Sequence, residues 1–134
     1  MNIIVCLDDN DGMLFNKRRL SSDSVLTDRI AKFATNNHLW MNDYSAKLFE
    51  GSNIIVDELF LQKAEKGDYC FIENVDITNF AEKTESLIIY RWNRRYPSDK
   101  KFPISLFLPD RKLISTIEFE GNSHPEITEE IYAL

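Results

Sequence analysis

Apolar positions in this chain fall into short blocks whose spacing switches between strand and helix periods. Asn2-Ile3-Ile4-Val5-Cys6-Leu7 is a continuous run rich in β-branched residues, the pattern of a strand buried on both faces. It stops at the polar loop Asp8-Asp9-Asn10-Asp11-Gly12 and resumes as Met13-Leu14-Phe15-Asn16. After Lys17-Arg18-Arg19, the segment Leu20-Ser21-Ser22-Asp23 reads as a helix entry with several capping side chains. Leu26, Ile30 and Phe33 lie on one stripe flanked by Val25 and Ala34, which predicts an amphipathic helix over 23–34. Thr35-Asn36-Asn37 ends it, and 38–41 predicts a second strand. Asn42-Asp43 caps a brief helix to about Phe49, Gly51-Ser52 turns the chain, and 53–56 predicts a third strand.

Asp57 then caps a helix over 58–66, with Gly67 as a left-handed stop. A fourth strand is expected at 68–72, a short helix at 76–83 and a fifth strand at 86–92. Beyond it the helices cease. Residues 97–103 form a polar connection, and 104–108 predicts a short strand or an irregular crossing. Residues 113–120 alternate like an antiparallel edge strand with one wet face, and 121–134 is a last strand or a helical turn. Alternating strands and helices require a parallel sheet with right-handed crossovers. The expectation is therefore an α/β fold, a single three-layer domain over 1–134 with a mixed, mainly parallel sheet. Asn2–Leu7 is its central strand, and the loop after it leaves from the carboxyl end, where open α/β sheets bind ligands.

Composition narrows the class. With 43% hydrophobic residues in 134, the chain carries enough apolar material for a packed core. A net charge of −6 argues against general nucleic-acid binding, while leaving room for a local basic patch. No apolar run reaches the roughly 20 residues of a bilayer span, and there is no secretion signal, so a cytoplasmic protein without a membrane partner is expected. Cys6 and Cys70 sit in strand-like runs and read as buried, reduced thiols, with a disulfide or a reactive pair as the alternative.

Candidate chemistry is thin. Asp8, Asp9 and Asp11 are carboxylates at a strand end, suited to a hard cation, or alternatively a solvated loop using Asp and Asn for turn chemistry. The calcium-loop spacing is not met, because counting back from Gly12 puts Leu7 at the first ligand position. Lys17-Arg18-Arg19 and Arg91-x-x-Arg94-Arg95 are two basic clusters, interleaved with Tyr90, Trp92 and Tyr96, that the expected fold would bring toward the same rim. They either hold a small anion, such as a phosphate or nucleotide, or pair internally with the Asp8–Asp11 loop and Glu73. His38 reads as a surface histidine and His124 as a turn residue, so no Ser-His-Asp or Cys-His constellation and no metal site is legible.

The order of elements resembles the dihydrofolate reductase fold. An Ile-Ile-Val strand from residue 3, a Gly-marked loop, a helix ending in Lys32-Phe33 and a short hydrophobic strand follow at that family's spacing. The resemblance covers nearly the whole chain, which is shorter than a usual member by roughly a hairpin. Gly12 and Asn16 resemble the glycine and asparagine of the family's mobile substrate loop, although Lys17-Arg18-Arg19 replaces the Leu-Pro-Trp that follows. The resemblance places Arg29 where the family carries its proton-donating carboxylate, with Asp28 one residue off. Asn42-Asp43-Tyr44-Ser45 falls on the phosphate-binding Gly-Arg-x-Thr, and Glu73-Asn74 on the Gly-Gly beside the pyrophosphate. Asp43 would repel a phosphate, and side chains at 73 and 74 close the backbone approach.

A second resemblance is to a small bacterial family often labelled ribonuclease Z. It rests on the Asp-Asp loop leading into Gly-Met-Leu-Phe-Asn-x-Arg-Arg, a Leu-Trp-Met strand and Gly-Asp-Tyr-Cys-Phe. That label implies a histidine-rich zinc cluster, and the two histidines here do not supply one. The resulting expectation is a non-catalytic ligand-binding or interaction protein on a reductase-like scaffold, with no cofactor. Its partner would be a small anionic ligand or another protein, including a second copy paired through the edge strand. The alternative is a nucleotide- or phosphate-ester-processing enzyme using the Asp8–Asp11 loop with Arg18, Arg19, Arg91 and Arg94.

Overall fold

The structure, a computed structural model, describes residues 1–50, 52–107 and 111–134. In chain order its elements are β1 (Asn2–Leu7), β2 (Gly12–Phe15), β3 (Arg18–Arg19), α1 (Ser24–Ala31), β4 (Leu39–Met41), α2 (Asp43–Ala46) and β5 (Ile55–Val56). There follow α3 (Phe60–Lys63), β6 (Tyr69–Ile72), β7 (Ser86–Arg91), β8 (Lys100–Lys101), β9 (Lys112–Phe119) and β10 (Ile127–Ala133). A seven-stranded sheet runs β5-β4-β6-β1-β7-β10-β9, so β1 is its middle strand. The β4, β5, β6, β1 and β7 pairings are parallel, while β10 and β9 add an antiparallel edge. The sheet is mixed and mainly parallel, as the pattern predicts.

β1 shows why the fold has three layers. Ile3, Val5 and Leu7 enter one core with Phe60, Leu61, Ile72, Ile77 and Ile89. Ile4 enters the other, with Leu26 and Ile30 of α1 and with Phe49, Phe71, Ile88 and Tyr90. Each fully buried aliphatic side chain contributes about 1.5–3 kcal/mol, so a strand apolar on both faces is stable only between two covering layers. Among the described residues no helix is long and apolar enough to cross a membrane.

Several elements differ from their sequence patterns. The segment over 23–34 is α1 plus a 3-10 turn at Lys32–Ala34, with Asp23 as the N-cap. The helix expected over 58–66 is only α3. Asp57 accepts the Leu59 N–H at 2.8 Å in a turn instead of capping, and Gly67, at φ 86°, serves the tight turn into β6. The expected helix at 76–83 is a 3-10 turn, Thr78–Lys83, and 104–107 is another, not a strand. Leu108 and Gly51 lie outside the described residues. The tail forms β10, a strand inserted between β7 and β9. β9 is wet on more than one face: Leu113, Ile114 and Ile117 are all exposed, and its pairing with β10 shifts register at Ile131/Tyr132.

A second sheet, β3-β2-β8, has no signal in the hydrophobic pattern. Its hairpin turns on Asn16 and Lys17, both left-handed at φ 51° and 62°. Two left-handed residues make the turn that matches strand twist, and that turn ordinarily announces itself as Asn-Gly. Lys17 carries a Cβ strain that glycine would not. Lys17→Gly is therefore expected to raise the unfolding free energy by about 0.5–1 kcal/mol in urea titrations, and an unchanged or lower value would contradict the turn.

Candidate functional site

Asp8, Asn42, Glu73 and Trp92 directly follow the last residues of β1, β4, β6 and β7. They mark the carboxyl rim of the parallel strands, the ligand-binding edge of an open α/β sheet. At this rim the side chains bond to one another. Arg19 reaches from β3 to the Glu73 carboxylate in a two-point pair, 2.8 Å from Nε and 3.1 Å from Nη2. Ser45 Oγ donates to the same carboxylate at 2.8 Å, and Asn42 donates to the Asn74 side-chain oxygen at 2.8 Å. The Arg19 guanidinium lies 4.5 Å above the Tyr44 ring, and the hydrogen bond to Glu73 holds its pKa above the usual arginine value.

Behind Arg19 and Glu73 runs a narrow cleft between α1 and the sheet, walled by Met13, Leu26, Phe49, Phe71 and Trp92. Its cavity is about 20 Å³, room for one or two water molecules. Outside the Arg19 closure lies an open groove of about 640 Å³, lined by Phe15, Asn16, Arg18, Arg19, Leu20, Tyr96 and Pro97.

At the α1 end of the cleft is a buried polar network. Asp23 accepts from the N–H groups of Val25 and Leu26, capping α1, and from those of Asn122 and Ser123 across the chain. Its Oδ2 is 3.0 Å from His124 Nδ1, and Nε2 of that ring is 3.0 Å from Ser21 Oγ and 3.3 Å from Tyr96 Oη. The Trp92 ring packs 4.6 Å from the imidazole at a tilt of 33°. Burial pushes the Asp23 carboxyl up, but the N–H groups of Asn122 and Ser123, with His124, outweigh it and hold the group well below the usual carboxylate range.

The acidic loop is not a solvated turn throughout. Asp8 is fully buried and accepts three main-chain N–H groups, from Asn10 at 2.8 Å, Gly12 at 2.7 Å and Tyr96 at 3.0 Å. Burial raises its pKa and those three donors more than reverse the effect. Asp9 is exposed, and Asp11 pairs with Arg91 at 2.5 Å. Arg91 also pairs with Glu130 and donates to the Asp8 carbonyl. Among the described residues no group of His, Cys, Asp and Glu is arranged to hold a metal ion.

The remaining candidates scatter. Arg18 and Asn16 share the open groove with Arg19, whereas Arg94 is exposed on the segment after β7. Trp92 is buried against His124, so it is not a free stacking platform. Asp28 is exposed on α1, outside the central cleft, and Arg29 pairs with the buried Glu129 at 2.8 Å. The α1 carboxylate that reaches the cleft is Asp23, read from the sequence only as a helix cap. His124, read as a turn residue, is buried beside it. The capping run Ser21-Ser22-Asp23 was the sole local signal, and nothing near His124 indicates a partner a hundred residues away.

Neither the protein-family models nor the curated proteins contain a match to this chain. Solved structures do match. One is a dihydrofolate reductase from Enterococcus faecalis complexed with NADP(H) and RAB-propyl. It aligns over 98% of this chain and 94% of its own with a TM-score of 0.67 at 12% sequence identity. The chain has a dihydrofolate reductase-like fold; at that identity the likeness speaks to architecture alone.

Proposed function

We propose that the protein is a cytoplasmic ligand-binding or interaction protein that carries out no reductase chemistry and does not use NADPH. The observation that carries this reading is Glu73. Its carboxylate stands at the carboxyl end of β6, tied to Arg19 and Ser45, beside the Asn42–Asn74 bond. The similar reductase holds NADP(H); a pyrophosphate brought to the same rim here would face a carboxylate. The cavity of about 20 Å³ behind it leaves no space for a pterin-sized ring.

The groove outside Arg19 supplies the surface for a small anion. Arg18 lies exposed on it beside Phe15 and Tyr96, so charge and an aromatic face are both present. The β9 edge, with Leu113, Ile114 and Ile117 exposed, is the surface for a protein partner, a second copy included. A phosphate-ester enzyme built on the acidic loop is less well supported, because Asp8 is spent on main-chain N–H groups and Asp11 on Arg91. Free Cys6 and Cys70, the latter thiol pushed up to about 12 by burial, suit a reducing compartment.

Titrating the protein with NADPH, followed by tryptophan fluorescence and calorimetry, is expected to give no saturation below about 1 mM, a binding free energy weaker than about 4 kcal/mol. Saturable NADPH binding with dihydrofolate turnover above a blank would overturn the reading.

A further inference from the structure

We propose that Ser21, His124 and Asp23 form a serine-nucleophile triad that cleaves small carboxylic esters. The inference goes beyond the binding reading and stands on different residues, at the α1 end of the cleft.

The connections run in the order such chemistry requires. Asp23 Oδ2 is 3.0 Å from His124 Nδ1, and His124 Nε2 is 3.0 Å from Ser21 Oγ. The Asp23 carboxylate, held by four main-chain N–H groups, faces Nδ1, which also lies 3.1 Å from Ser123 Oγ, and we assign the ring proton to Nδ1. Nε2 then carries the lone pair and accepts from the Ser21 hydroxyl. That is the tautomer a general base needs, set by a carboxylate that cannot rotate away. Trp92, packed against the ring at 4.6 Å with a tilt of 33°, limits its movement. Tyr96 Oη, 3.3 Å from Nε2, can accept from that nitrogen once it is protonated.

Base and orienting acid are 3% and 4% exposed, whereas Ser21 is half-buried and lines the cleft. A nucleophile that meets the cleft, backed by a dry base and a dry carboxylate, is the arrangement that activates a serine. The Ser21 and Ser22 N–H groups make no hydrogen bond among the described residues, and we assign them the role of main-chain donors to a developing oxyanion.

The step balances without a further reagent. Ser21 Oγ bonds to the ester carbonyl carbon as its proton passes to His124 Nε2. The carbon–oxygen bond to the alcohol breaks, and His124 returns the proton to the departing alkoxide. Water then attacks the acyl-serine with His124 again taking the proton, which releases the carboxylate and restores the hydroxyl. The apolar walls at Leu26, Phe49, Phe71 and Trp92 would receive the acyl chain, and the small cavity selects a short one such as acetyl.

The test is intact-mass spectrometry of the whole chain after incubation with a fluorophosphonate, alongside p-nitrophenyl acetate hydrolysis. One adduct per chain is expected, mapped to Ser21, with a stoichiometric burst of nitrophenol. Ser21→Ala should abolish both, and His124→Gln should slow labelling by about 10²–10⁴-fold. Near-UV circular dichroism checks that each variant is folded; should His124→Gln unfold, Ser21→Ala decides alone, since a half-buried hydroxyl is not expected to support the fold. No adduct on the folded wild type, an adduct that persists in Ser21→Ala, or wild-type labelling of folded His124→Gln would each overturn the proposal. NADPH binding bears on none of these outcomes, so the two readings fail separately.

Discussion

Asp23→Ala is expected to lower the unfolding free energy by about 3–5 kcal/mol, the largest loss from any single polar substitution in the chain. The side chain is 4% exposed and ties together two distant segments. Removing it uncaps α1, a change that by itself costs about 1 kcal/mol. It also leaves the N–H groups of Asn122 and Ser123 and the buried His124 ring without their acceptor. Asp23→Asn should cost less, because the amide oxygen can still cap the helix. The carboxyl pKa is depressed in the fold, so its stabilisation is complete above the unfolded value of about 4 and is lost as pH falls through the lower folded value. Urea unfolding at pH 7, 4 and 3 should therefore show wild-type stability falling toward pH 3, and Asp23→Asn should flatten that fall. A loss under 1 kcal/mol for the alanine variant at pH 7 would mean the network is not rigid.

Asp8→Ala is the second large effect, expected at about 2–4 kcal/mol. Asp8 is fully buried, and its three donors belong to the β1–β2 loop and to the segment after β7. Those N–H groups would lose the acceptor they share, the Gly12 N–H in a buried position. The packing shows in Gly12, where an added Cβ would stand 2.9 Å from Asp8 Oδ1 and 2.6 Å from Ser98 Oγ. The same denaturation assay measures it, and limited proteolysis adds a local readout. Cleavage near 96–100 should accelerate in Asp8→Ala well before global unfolding, because Tyr96 loses its anchor. An unchanged digestion pattern would show that the segment is held by something else.

The α/β architecture was legible because its signals are local and redundant. β1 is a continuous β-branched run, α1 carries a cap and one apolar stripe, and the parallel strands sit between helical segments. The elements misread are those whose signals are short. α3 and the 3-10 turns over 78–83 and 104–107 are too brief for periodicity to separate a helix from a turn. The β2–β3 hairpin was missed because its turn uses Asn-Lys, where Asn-Gly would have shown it.

The two ends of the site divide in the same way. Residues 42–45 and 73–74 follow β4 and β6, so their place on the rim came with the strand order, and the side chains that fill it are plain in the sequence. That these side chains bond to one another, and that Arg19 closes over them, required the hairpin's geometry. The Ser21–His124–Asp23 contacts came wholly from tertiary structure. His124 has no neighbour in sequence that marks it, and it meets Asp23 only because β10 inserts between β7 and β9 and brings the preceding loop over the start of α1.

By itself, then, the sequence determined the fold class and the central place of β1, both written in periodicity, caps and residue type over short spans. Only the tertiary structure decided which charges are spent on one another and which side chains share a buried site. Such contacts join residues far apart in the chain, and local pattern carries no information about the distance between them once folded.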